Sequence, residues 1–206
     1  MTGPKDTAPS VTIDQRRPKR ADARHNYDAV VEAAREAFAK EGVSASLEDI
    51  ARRAGVGIGT LYRHFPSRKD LFESVYVAEV ERLCHTAETL RLAPPWQALT
   101  TWLRGIVNYA VSKRALAEEL VNSVGPGSPY FDLCRTYVFT SGGPLLERAQ
   151  REGAVRKDVS FDDLLRLIGG IALAKFPQPG QLERVLNVAL DGLRPPLSDY
   201  AVPMGN

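Results

Sequence analysis

Residues 54–65 read AGVGIGTLYRHF, with glycines at 55, 57 and 59 between two apolar patterns of helical period. Glycine is the poorest helix former after proline, so no single helix runs through this stretch and the chain must turn within it. Ala51, Gly55 and Leu61 stand four and then six residues apart across that turn. Two helices that cross closely need a small residue at the contact, a turn residue that reaches positive φ, and an apolar residue that packs back between them. The spacing therefore predicts a helix-turn-helix, whose second helix offers its N-terminal half to the DNA major groove. Gly57 and Gly59 then read as positions where a side chain would hold the backbone away from a phosphate or base edge. A helix hairpin buried in a bundle would instead carry apolar side chains where Gly57, Thr60, Arg63 and His64 stand.

Helical period governs nearly every other patterned segment and strand alternation is sustained nowhere, so the expected fold class is all-α. A first helix is expected from Asp22 to Glu41, with Tyr27, Val30, Val31, Ala34 and Phe38 on one face and Gly42 as its stop. Ser46 and Asp49 have capping-box spacing and open a short second helix, a third covers Ile58 to Phe65, and a fourth runs from a Ser67 cap to Leu90. Further helices are expected from Trp96 past Tyr109, from Tyr130 to Glu152 with Pro144 kinking or interrupting it, from the Ser160–Asp163 box to Phe176, and from Gln181 to Leu193. The segment 124–129, VGPGSP, reads as a break. Residues 1–14 and PPLSDYAVPMGN at the other end read as disordered.

The formal net charge is only +2, but it is unevenly spread. Residues 1–72 hold thirteen Lys/Arg against ten Asp/Glu, with five basic side chains in 15–24 and five more in 50–70. Cys84 and Cys134 lack the spacing of a zinc site or a disulfide framework and read as buried thiols. The opening residues lack a signal-peptide apolar run, and no window approaches the ~18 apolar residues of a membrane span, so a cytoplasmic protein with no membrane partner is expected. His25, His64 and His85 lack metal-ligand spacing, no nucleophile elbow is present, and Cys84 and His85 point about 100° apart on a helix. No catalytic residue, metal or cofactor is expected. The competing readings are a helical adaptor that binds protein and a small all-α enzyme. The adaptor would not keep Thr60, Tyr62, His64 and Arg68 together, and the enzyme would need a polar constellation in the C-terminal half.

The run SLEDIARRAGVGIGTLYRHFPSRKDL, residues 46–71, resembles the signature of the tetracycline-repressor (TetR) family of bacterial transcriptional regulators, in an actinobacterial-type subgroup. The resemblance implies a three-helix DNA-binding domain followed by a larger helical ligand-binding and dimerisation domain. Its layout here is a disordered basic arm over 1–21, the helix-turn-helix domain over 22–66, the helical domain over 67–194 and a disordered tail over 195–206. It further implies a homodimer on a pseudopalindromic double-stranded operator, released by a small-molecule effector, with repression taken from the family alone. Gly57, Ile58, Gly59 and Thr60 match the base- and backbone-facing start of the recognition helix. Tyr62 and His64 match phosphate-gripping positions, Arg68, with Lys69 beside it, matches the basic start of the fourth helix, and Ser46 matches the cap of helix two. Arg63 sits at a variable position, where it reads a guanine or touches a phosphate. With glycine at 57 and 59, shape and apolar contact must carry more of the specificity. The arm RRPKR, 16–20, either trails in solvent or follows the DNA backbone.

Two further sets of residues are singled out. Leu164, Leu167, Ile168, Ile171, Leu186 and Leu190 give two apolar faces on the last helices, and Gly169-Gly170 is costly in mid-helix unless another backbone comes close, so a two-fold dimer interface is expected there. Trp102, Ile106 and Tyr109 recur at helical spacing, as do Phe131, Cys134, Tyr137 and Val138. These are either plain core or an effector pocket, the latter favoured by two ring hydroxyls, a thiol and an indole N–H. Only Lys113, Arg114 and Lys175 lie near, so the expected effector is neutral or weakly charged and partly aromatic.

Overall fold

The computed structural model describes residues 14, 16–112, 114, 118 and 129–196; among them the chain forms eight α-helices and no strand. They are α1 (Ala21–Glu41), α2 (Leu47–Arg53), α3 (Ile58–His64), α4 (Arg68–Thr89), α5 (Pro95–Ser112), α6 (Pro129–Arg151), α7 (Phe161–Leu173) and α8 (Gln181–Asp191), with short 3₁₀ turns at Gly42–Ser44 and Leu90–Leu92. No helix is long and apolar enough to cross a membrane among these residues. Residues 1–13 of the expected arm, most of the VGPGSP break and 197–206 of the expected tail lie outside the described residues.

Most helix ends obey their local chemistry. Ser67 with Asp70 and Ser160 with Asp163 form complete capping boxes, in which each serine accepts from the backbone N–H three residues on and each aspartate accepts from the serine's own N–H. At Ser46 the box is only half formed: its Oγ accepts from Asp49 N, but the Asp49 carboxylate turns instead to Arg52 at 2.6 Å. Pro95 takes the first position of α5, where its missing N–H costs nothing. Pro144 does not interrupt α6, which runs on to Arg151; the two residues just before it, Gly142 and Gly143, carry no Cβ to crowd its ring. α7 stops at Leu173, short of Phe176: Ala174 is already extended at ψ 155°, and Arg114 donates to the carbonyls of Ala172 and Ala174 at the helix end.

Two large cores result. The first gathers Tyr27, Val30, Ile50, Leu61, Phe65 and Phe72 from α1, α2, α3 and the opening turns of α4. The second gathers Trp102, Leu103, Leu145, Leu164, Ile168 and Leu186 from α5 through α8. Between them a small cluster of Val77, Val80, Cys84 and Cys134 joins α4 to α6. At 22 residues, or about 33 Å, α4 thus reaches from the first core toward the second.

Candidate nucleic-acid interface and effector region

The turn between α2 and α3 is built as its residues demand. Gly55 sits at φ 69°, and Gly55 N and Val56 N donate to the carbonyls of Arg52 and Ala51 at 3.2 and 3.0 Å, a Schellman closure. Ala51 is buried at the helix crossing and Leu61 is fully buried behind α3. The opposite face of α3 stays open. Ile58 is 37% and Tyr62 45% exposed, Arg63 is exposed with Nη2 donating to Thr60 Oγ1 at 3.3 Å, and a Cβ added at Gly57 or Gly59 would meet nothing within 4 Å. Lys69 is likewise exposed.

Three of the expected backbone-gripping groups are engaged inside the chain. Arg68 Nη2 donates to Ala45 O at 2.7 Å, which ties the start of α4 to the segment before α2. Ser46 Oγ caps α2 and donates to Glu48 at 2.7 Å. His64 is half-buried, edge-on to Tyr27 at 5.8 Å, and burial followed by the Arg63 charge holds its imidazole below the usual pKa. A neutral His64 still offers an N–H, but not a positive charge.

The arm departs furthest from expectation. Asp14 Oδ2 accepts from the Tyr27 hydroxyl at 2.6 Å, while Ser74 Oγ lies 2.7 Å from the same oxygen. Arg16 pairs with Asp70 at 3.0 Å and with the buried Glu73 at 2.6 Å, and Arg17 makes a bidentate pair with Asp28 at 2.8 and 2.6 Å. Asp14, Arg16 and Arg17 therefore form a clasp over α1 and α4, built from charge-assisted hydrogen bonds.

The seven expected effector residues do not converge on one site. Trp102 is buried, donates its Nε1–H to Leu83 O at 3.0 Å and packs on Gly142 and Phe161, so it is a satisfied core side chain. Ile106 and Val138 pack against the second core, and Tyr137 lines grooves on the outer side of α4 and α6. Tyr109, Phe131 and Cys134 do gather, around a residue the pattern did not single out: the Tyr76 ring lies 6.5 Å from Tyr109 and 5.9 Å from Phe131. The Tyr109 hydroxyl is buried without a hydrogen-bond partner among the described residues, and burial first, then Tyr76, Glu79 and Cys134, drives its pKa well up. Glu79 Oε1 is also buried, with Arg35 at 3.7 Å too far to hydrogen-bond. The signal for Tyr76 and Glu79 was present as polar atoms set into the apolar stripe of α4. Of the nearby cations, Lys113 lies outside the described residues and Arg114 is spent on helix carbonyls.

The expected dimer residues also divide. Leu164, Ile168, Ile171, Leu186 and Leu190 are buried in the chain's own second core and are unavailable to a partner, because α7 and α8 pack these faces on α5 and on each other. Leu167 is exposed, and with it Leu173, Val185 and Val188, the second and fourth at 75%. A Cβ at Gly169 or Gly170 would meet nothing within 4 Å among the described residues.

An exposed recognition helix on a Schellman-turned pair, joined by α4 to a larger helical body, defines a helix-turn-helix transcriptional regulator of two-part, all-α build. Comparison agrees: residues 30–75 match the model for bacterial regulatory proteins of the tetR family, and residues 94–195 match the C-terminal domain described as transcriptional regulator SbtR-like. A TetR transcriptional regulator of Streptomyces coelicolor is 40% identical over 82% of this chain and 98% of its own, with a TM-score of 0.69. A TetR transcription regulatory protein of Mycobacterium vanbaalenii is 36% identical over 86% and 100%, with a TM-score of 0.68. An HTH-type transcriptional regulator of Staphylococcus aureus is 45% identical over 53 residues, which span 29% of that relative's length. The chain belongs to the TetR family, and its Streptomyces and Mycobacterium neighbours fit the actinobacterial-type subgroup.

Proposed function

We propose that the chain is a homodimeric, ligand-responsive repressor that binds a pseudopalindromic operator through α3 and lets go when a small molecule occupies the region around Tyr109. The observation that carries the DNA reading is the open face of α3, where Gly57 and Gly59 stand beside exposed Ile58, Tyr62 and Arg63 with nothing above them among the described residues. Helical glycine costs about 1 kcal/mol relative to alanine, so Gly59 in the first turn of α3 makes sense on an open face only if an outside surface comes close, while Gly57 is the extended N-cap, where glycine costs little. The effector reading is supported by the Tyr109 hydroxyl, unmet among the described residues and set within a ring cluster, a polar atom suited to orienting a partly aromatic, neutral or weakly charged ligand. The exposed apolar faces of α7 and α8, with Leu167, Leu173, Val185 and Val188, supply the dimer contact in place of the buried set.

Gly59→Ala separates stability from function. The variant is expected to be as stable as the parent or more so, by up to about 1 kcal/mol, since it gains helix propensity and meets no atom. Affinity for operators selected from a random DNA pool is expected to fall at least about tenfold, because the methyl group stands between backbone and groove. Unchanged affinity would remove α3 as the reading surface.

A further inference from the structure

On the outer side of the molecule, the end of α4 and the second half of α6 enclose a groove of about 470 Å³ that the proposed regulatory cycle does not use. Its basic wall is Arg91, Arg148 and Arg151, and its apolar wall is Ala87, Pro144 and Leu145. The Arg148 guanidinium is fixed by donating to the carbonyls of Arg91 and Ala93, the latter at 2.7 Å, while its buried Nε–H has no acceptor among the described residues. Neutral carbonyls orient the guanidinium without cancelling its charge. Neither it, Arg91 nor Arg151 forms an ion pair with a carboxylate among the described residues. Of the two carboxylates in the groove, Glu88 lies 3.2 Å from His85 Nδ1, which leaves Glu147 against three arginines.

We propose that this groove is a binding site for a small carboxylate with a flat apolar body. Guanidinium groups are shaped to take a carboxylate bidentately, and such charge-assisted pairs are about twice as strong as neutral ones. The apolar wall receives the rest of the molecule, and a groove of this volume lies within the usual range for small ligands. Arg91 follows α4 and Arg151 ends α6, so a ligand held by both would bridge the two helices at the end remote from α3.

The test is calorimetric titration of the full chain with 1-naphthoate, and with 1-naphthalenemethanol as a neutral molecule with the same ring system. The site predicts saturable naphthoate binding at least about tenfold tighter than the alcohol. Arg91→Gln and Arg151→Gln, whose side chains make no hydrogen bond within the described chain, should each weaken naphthoate about threefold or more while leaving the melting temperature unchanged. Tyr109→Ala, in the proposed effector region, should leave naphthoate affinity as it was. Equal affinity for acid and alcohol, or indifference to both arginine changes, would overturn the proposal. So would loss of binding in Tyr109→Ala alone, which would place the molecule in the interior. The DNA reading is untouched by any of these results.

Discussion

At the scale of single residues, position 142 is the most tightly determined in the helical body. A Cβ there would lie 2.2 Å from two atoms of the Trp102 ring and 2.5 Å from Phe161 Cζ, and both rings are core-bound. Gly142→Ala is expected to cost about 1–3 kcal/mol in urea unfolding, as overpacking does. Combination with Trp102→Phe should return part of that loss, because the smaller ring vacates the space. His64 gives a second expectation. Its folded pKa lies below the ordinary value, by burial first and the Arg63 charge second, so the unfolded chain takes up the proton before the folded one. Stability should accordingly fall as pH is lowered from about 7 to about 5, and His64→Gln should flatten that dependence in thermal melts. Neither position was fully legible in the sequence. Gly142 sits in SGGP, which reads as a helix break until Trp102, forty positions earlier, is seen lying on it. Arg68 carries the family's basic position but finds Ala45 O, a backbone acceptor that leaves no mark in a side-chain pattern.

At the scale of elements, helix type and most ends were legible because their causes are local: Gly55 at positive φ, the Ser67 cap of α4 and the Ser160–Asp163 box of α7, whereas Pro95 belongs to α5, whose start was read one residue later at Trp96. What covers an apolar face is not a local property. Ile168 and Leu167 are neighbours with the same chemistry, yet one is interior and the other faces outward, because the packing of α5 and α8 decides which side of α7 is closed. The proposed dimer face yields a sharp contrast. Val188→Glu and Leu173→Glu are expected to give folded monomers by sedimentation, since both positions are exposed within the chain. Ile168→Glu is expected to unfold the helical body, because a carboxylate there has no partner in the core. Folded dimers from both surface variants would place the contact on another face.

At the scale of the whole molecule, α4 is the element that the parts share: Leu71, Phe72 and Val75 belong to the first core, Val77, Val80 and Cys84 to the junction, and Ala87 to the second core. A change in how α6 and α5 grip α4 is thereby a change in the seat of the reading head. The N-terminal clasp acts on the same seat, since Arg16 holds Asp70 and Glu73 of α4 while Arg17 holds Asp28 of α1. Long-range charge pairs have no sequence signature, and the basic arm reads as trailing in solvent or following the DNA backbone for that reason. The clasp changes what those residues count for in ionic terms. A free arginine that meets a phosphate lets the cation condensed on that phosphate escape, whereas Arg16 or Arg17 would have to leave a carboxylate that then recruits a cation from solution. One ion pair would simply be exchanged for another, with little net release. Replacing both with alanine should therefore change the log-log salt slope of operator binding by well under the roughly two units expected of two solvent-facing arginines, while Lys69→Ala, exposed beside α4's cap, should lower it by about one.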